Sequence, residues 1–167
     1  TKLLKKSEIF LCDSGGQYKF GTTDVTRTIC FRNQNKKIKD IFTNVLKGHI
    51  AVVQTNLNKK KTGRLIDIEA RRFLKKNNQD YNHGTGHGVG FFLNVHEGPQ
   101  AISKQNSVEI QNGMILSNEP GYYKQDKFGI RIENLIYANK VKNDLVFKNL
   151  TLAPIEKDLI NFKLLTK

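Results

Sequence analysis

The chain has 167 residues, of which 38% are hydrophobic and ten are Phe; that suffices for one packed domain and is too apolar for a disordered chain. Its formal net charge is +13, from 28 Lys and Arg against 15 Asp and Glu, but the excess is mostly Lys scattered among Asn, without the Arg clusters and interleaved aromatics of a nucleic-acid surface. No apolar run reaches the roughly 18 residues of a membrane span and no signal-peptide pattern opens the chain, so nucleic acid and membrane are both set aside as partners.

In chain order, EIFLC at 8–12 and VTRTICF at 25–31 read as neighbouring antiparallel strands separated by the Gly-containing DSGGQYKFGTTD. From 38 to 53 the residues Ile38, Ile41, Phe42, Val45, Leu46, Ile50 and Val53 recur at helical spacing and predict an amphipathic helix. His49 rides on it as a structural or surface residue. A second helix is expected over 65–76, burying Ile66, Ala70, Phe73 and Leu74. HGTGHGVG is too rich in Gly for a helix, at about 1 kcal/mol per Gly, and is expected extended or looped. Runs at 113–123, 129–138 and 144–155 read as strands. Two strands, two helices and then several strands describe one α+β domain over 1–167. The start, without Met and running quickly into a strand, reads as a piece of a longer chain. Two thiols in apparent strands, Cys12 and Cys30, fit a reducing compartment better than a disulfide scaffold.

Four carboxylates sit where these strands should be apolar. Side chains alternate faces along a strand. Asp13 shares parity with Ile9 and Leu11 and is expected to point inward; Cys12, on the opposite parity, reads as core. Asp24 falls on the parity of Thr26 and Thr28, Glu119 interrupts MILSNEPGYY, and Glu133 lies inside GIRIENLI with Arg131 on its face. Singly, each has an ordinary reading as a turn or solvent-facing residue; together they are more than turns require. Buried ionised carboxylates cost several kcal/mol each unless a cation compensates them. Arg131 could neutralise one, whereas two divalent metals would neutralise all four. His83 and His87, four apart, lie on one side of an extended segment. Imidazole with carboxylate suits Mn²⁺, Zn²⁺, Co²⁺ or Fe²⁺ better than Ca²⁺ or a thiolate-bound metal. Gly84, Gly86, Gly88 and Gly90 are expected to let backbone approach a metal or substrate closely.

DSGGQYKFGTTDVTRT, HGTGHGVGFFLNVHEGP, GMILSNEPGYY and GIRIENLI resemble, in order and spacing, the signature blocks of the Xaa-Pro aminopeptidases (aminopeptidase P), metallopeptidases of the pita-bread fold. The wording is nearest the cytosolic eukaryotic type, and the likeness runs from about 9 to 155. It implies a curved, mostly antiparallel sheet with flanking helices, 1–167 being a catalytic domain incomplete at both ends. It further implies a cytoplasmic location, a homodimeric full-length protein and an absent N-terminal part of the same protein. Of two divalent metals, manganese by family habit with zinc or cobalt as substitutes, Asp13 would bind one. Asp24 and Glu133 would bridge both, and His87 and Glu119 would complete the second. His83 and His96 match non-ligand histidines that contact the substrate and its reacting carbonyl, and Arg131 would hold the metal-binding carboxylates. The implied reaction removes an N-terminal residue when proline follows it, through a hydroxide shared by cations about 3.5–4 Å apart. Glu119 is the expected proton shuttle to the proline nitrogen. A further substrate-contacting histidine of the family has no counterpart here, and His49 does not stand in for it. A prolidase acting on Xaa-Pro dipeptides is the nearer alternative; a non-enzymatic pita-bread module binding peptides, histones or RNA is the more distant one.

Overall fold

A computed structural model describes residues 3–92 and 94–165. Strands β1 (Ile9–Tyr18) and β2 (Gly21–Cys30) form an antiparallel hairpin, in register from Ile9 opposite Cys30 to Tyr18 opposite Gly21. The segment expected to separate two short strands is therefore itself strand. The β-branched run Thr22, Thr23, Val25, Thr26, Thr28 favours the pleat, and the Gly16 N–H donates to Thr23 Oγ1 at 3.0 Å. Cys12 is exposed. It is not the core residue that parity suggested, and Asp13, expected to point inward, is exposed as well, because from Cys12 to Gly15 this two-stranded ribbon is exposed on both faces.

Helix α1 (Lys36–Val53) starts at Asn35, whose side chain accepts from the Ile38 N–H at 3.0 Å and so satisfies one of the helix's orphan donors. Helix α2 (Gly63–Lys75) ends in a Schellman motif. Asn78 adopts φ +54°, with Asn78 N–H donating to Lys75 O at 3.0 Å and Gln79 N–H to Leu74 O at 3.1 Å. Ile66, Ala70 and Leu74 are buried as expected, whereas Phe73 is half-buried under the Lys47 ammonium.

All further strand pairs among the described residues are antiparallel. Strand β3 (Gly86–His87) pairs with β4 (Ala101–Ile102), β6 (Gly121–Lys124) with β7 (Phe128–Arg131), and β5 (Ile115–Asn118) with β8 (Asn134–Val141), which pairs in turn with β9 (Asp144–Asn149). The run expected as one strand over 113–123 breaks at Glu119–Pro120, where Pro lacks the N–H a ladder needs. The 129–138 run breaks at Ile132–Glu133, and the last strand stops at Asn149 rather than 155. Both internal breaks fall on predicted ligands. The core lies in two clusters. One holds Val52, Ile66, Ala70, Ile102, Leu116 and Ile136; the other holds Phe42, Val45, Leu74, Ile130, Ile132 and Leu159. Helix α1 enters both. Among the described residues no helix is long and apolar enough to cross a membrane.

Candidate metal centre

The hairpin register builds the first wall of the site. Asp13 pairs with Thr26, and Asp24 lies two residues before Thr26, so all three project from one face. Opposite stand His87 on β3, Glu119 at the break after β5 and Glu133 at the break before β8. The Glu133 N–H donates to Thr26 O at 3.1 Å, and Thr26 Oγ1 donates to Glu133 Oε2 at 2.6 Å, which fixes the second wall to the first. Thr28 clamps the neighbouring turn, exchanging hydrogen bonds of 3.0 Å with the Arg131 carbonyl and N–H.

Ligand-type atoms converge in three groups, each within 4.8 Å: Asp13, Asp24 and Glu133; His87, Glu119 and Glu133; Asp24, His87 and His96. Every predicted ligand is included. His87 Nε2 lies 3.4 Å from Asp24 Oδ2 and 3.3 Å from Glu119 Oε1. Its Nδ1 is 2.9 Å from the Gly88 carbonyl, an acceptor only, so Nδ1 carries a proton and Nε2 is the ring nitrogen turned toward the carboxylates. Ser117 orders this corner by accepting from the His87 N–H and donating to Glu119 Oε1, both at 2.9 Å.

Arg131, expected as a support for the carboxylates, lies among them. It pairs with Asp13, donates from Nε to Thr26 Oγ1 at 3.1 Å and lies 3.9 Å from Glu119 Oε2. His83 joins the site from outside the cluster. Its Nδ1 faces the Gly84 carbonyl at 2.7 Å, so its Nε2, 2.9 Å from the Tyr123 hydroxyl, accepts from that hydroxyl. Arg131 Nη1 donates to the same oxygen at 2.9 Å. His96 is exposed, its ring centroid 3.8 Å from that of His87. His49 is not at the cluster. It is buried on α1, and its carbonyl accepts from Asn118 Nδ2 at 2.9 Å, directly beneath Glu119.

Four carboxylates, the imidazoles of His87 and His96 and one guanidinium lie together here. Burial first, then the charges of Glu119, Asp24 and Asp13, push Glu133 up to about 7, with the Thr26 hydroxyl opposing. Burial also raises Glu119, against the pull of His87, Ser117 and Arg131. Asp24 and Glu119 hold His87 above its ordinary value despite its burial. Such a set of oxygen donors plus one oriented imidazole is the chemistry of a hard-to-borderline divalent cation. The Asp13, Asp24, Glu133 group and the His87, Glu119, Glu133 group meet at Glu133, so the residues fit a pair of neighbouring cations.

Sequence reasoning missed Thr26, Ser117 and Tyr123, which hydrogen-bond the candidate ligands Glu133 and Glu119 and the His83 ring. Threonine, serine and tyrosine at strand positions carry no periodic signal; only the register shows their partners. The glycines also serve differently from the expectation. A Cβ on Gly86 would overlap the Ser117 carbonyl oxygen, and one on Gly88 the Glu97 carbonyl oxygen, so these close approaches are to the protein's own backbone.

The fold and this carboxylate–imidazole cluster define a metallopeptidase scaffold, and the chain belongs to metallopeptidase family M24, whose model matches residues 1–140. The fold is the pita-bread fold of that family. The chain is 47% identical to a probable Xaa-Pro aminopeptidase P of Laccaria bicolor, over 99% of this chain and 27% of the relative. It is also 47% identical to aminopeptidase P2 of Arabidopsis thaliana, over 95% of this chain and 24% of the relative. Among solved structures it matches the X-prolyl aminopeptidase of Caenorhabditis elegans, described as a cytosolic enzyme with a di-nuclear active site. That match has a TM-score of 0.87 and 42% identity, over 94% of this chain and 27% of that one. The prolidase of Pyrococcus furiosus superimposes with a TM-score of 0.81 at 28% identity, over 92% of this chain and 44% of that one. The chain thus spans about a quarter of the length of the curated relatives it matches.

Proposed function

We propose that the protein carrying this chain is an Xaa-Pro aminopeptidase, a hydrolase that removes the N-terminal residue of a peptide whose second residue is proline. The observation supporting this most directly is the convergence of Asp13, Asp24, His87, Glu119 and Glu133 from five separate places in the chain. Two divalent cations, Mn²⁺ by preference, would be held there. Asp24 and Glu133 would be the shared ligands, as the family resemblance implies, each carboxylate having two oxygens to offer where the His87 Nε2 has one lone pair. When bound, the cations supply a water ionised near neutral pH and an electrophile for the carbonyl oxygen.

The chain's own residues do the rest. The Gly88 carbonyl fixes the His87 ring with its free nitrogen inward. Ser117 binds one Glu119 oxygen and leaves the other to receive a proton and pass it to the departing proline nitrogen. Arg131 anchors Asp13 and Tyr123 together. Tyr123 holds His83 as the Nδ1–H form beside the substrate path, and His96 covers the open side of His87. The same reading carries a cytoplasmic location and a homodimeric full-length protein.

The test is an assay of an Xaa-Pro-Xaa tripeptide, an Xaa-Pro dipeptide and a Met-Ala peptide with Mn²⁺, alongside metal analysis. Turnover of the tripeptide with two metals per chain is expected. Turnover of the dipeptide alone would make the protein a prolidase, and a metal-free, inactive, polyanion-binding protein would make it a binding module.

A further inference from the structure

Behind the candidate ligands lies a second polar network, which joins Asp67 and Arg71 of α2 to His83 and Thr85 of the HGTGHGVG segment. Arg71 on α2 is the bulkiest of the fully buried side chains, at 2% exposure, and Asp67 one turn earlier is 1% exposed. Arg71 donates from Nε to Asp67 Oδ2, from Nη1 to Asp80 Oδ1 and the Tyr81 carbonyl, and from Nη2 to the His83 carbonyl, each at 2.7 Å. Its guanidinium carbon lies 3.8 Å from the centre of the Tyr81 ring. The other Asp67 oxygen accepts from Thr85 Oγ1 at 2.6 Å, and Thr85 Oγ1 also bonds the Tyr81 hydroxyl. The Thr85 carbonyl in turn accepts from the Glu119 N–H at 2.7 Å.

A buried ion pair is a weak source of stability, since apolar residues of equal volume do as well. What the guanidinium adds is direction. Its planar fork holds the backbone carbonyls of Tyr81 and His83 and two carboxylates at fixed angles, which a lysine ammonium on a flexible stem does not reproduce. The segment it grips needs that help, for among the described residues between α2 and β4 only Gly86–His87 is regular strand.

We propose that Arg71, with Asp67 and Thr85, is a positioning device. It sets the backbone from which His83 faces the substrate and, through the Thr85 carbonyl, the entry of the chain into Glu119. The inference rests on the aminopeptidase reading above and deepens it, because it assigns α2 a part in turnover. None of the three residues touches a metal ligand's donor atom, so their loss should leave the cations bound and misplace the groups around them.

The experiment uses the full-length protein loaded with Mn²⁺ and an Xaa-Pro-Xaa tripeptide. Arg71→Lys is expected to keep its circular-dichroism spectrum and two metals per chain, with KM within about threefold and kcat lower by about 10- to 100-fold, the range for outer partners of a catalytic centre. Thr85→Val, nearly isosteric, is expected to lose kcat similarly, and Thr85→Ser, which restores the hydroxyl, to return within about threefold of the parent. An Arg71→Lys or Thr85→Val protein that folds, holds two metals and turns over at the parent rate overturns the inference. So does a kcat loss matched by lost metal, or a Thr85→Ser variant no better than Thr85→Val. If Arg71→Lys does not fold, the two Thr85 variants decide the matter. Failure of the parent itself to cleave the tripeptide would strike the aminopeptidase reading, a separate result.

Discussion

Glu133 concentrates the energetics of the site. It is 1% exposed, and that burial first, then the like charge of Glu119, Asp24 and Asp13, pushes its carboxyl up to about 7. A carboxyl raised in the folded chain keeps its proton there while the unfolded chain has already released it. The metal-free fold therefore has this group's full contribution below about pH 4.5 and loses it as pH rises through about 7. The whole effect is at most about 3 kcal/mol. His49 has the opposite sign: burial holds it down to about 4, so its contribution is complete above pH 6.5 and is lost as pH falls toward 4. Comparing variants at one pH removes that background. In chelator, Glu133→Gln is expected to be more stable than the parent by about 1–3 kcal/mol at pH 8 and no more stable at pH 4.5, as measured by urea unfolding. Equal stability at pH 8 would show that Glu133 does not carry the charge strain. The same variant is expected to bind no more than a trace of metal; two metals per chain would remove Glu133 from the centre.

Helices α1 and α2 act as one element behind the sheet. Gly48 on α1 meets the Ala70 backbone of α2 so closely that a Cβ would overlap the Ala70 carbonyl oxygen. Alanine is worth about 1 kcal/mol over glycine in an isolated helix, but overpacking typically costs about 1–3 kcal/mol. Because α1 contributes Val52 to one core cluster and Ile41, Phe42, Val45 and Leu46 to the other, separating the helices disturbs both. Gly48→Ala is expected to lower Tm by several degrees. A raised Tm would mean that the helices part without loss at this point.

At the scale of the molecule, the two cations are expected to tie the hairpin to the strands that carry His87, Glu119 and Glu133. Binding to the folded state alone stabilises by about 2.7 kcal/mol when free metal is a hundredfold above its dissociation constant. Chelation is therefore expected to lower Tm, and more at pH 8 than at pH 5, where Glu133 holds a proton in place of a metal. Calorimetry with and without Mn²⁺ at the two pH values measures this, and a Tm indifferent to metal at pH 8 would contradict it.

Residue spacing alone determined the α+β order and both helices and singled out four carboxylates near a histidine pair; the likeness of the motif blocks to a known family chose the candidate ligands among them. Helical periodicity is local, and the motif blocks are contiguous, so both could be read along the chain. Strand ends could not. The ladder between 13 and 24 depends on pairing Gly15 with Asp24 and Gly16 with Thr23, a partnership that propensity does not register, and Cys12 was misassigned to the core because parity says nothing about which face finds a neighbour. The breaks at Glu119 and Glu133 look continuous in sequence and are decided by where β5, β6, β7 and β8 diverge. Tertiary structure alone brought Thr26, Ser117, Tyr123 and Arg71 to the site, since a hydroxyl or a guanidinium gains its meaning from the partner it reaches, and those partners lie 2 to 107 residues away.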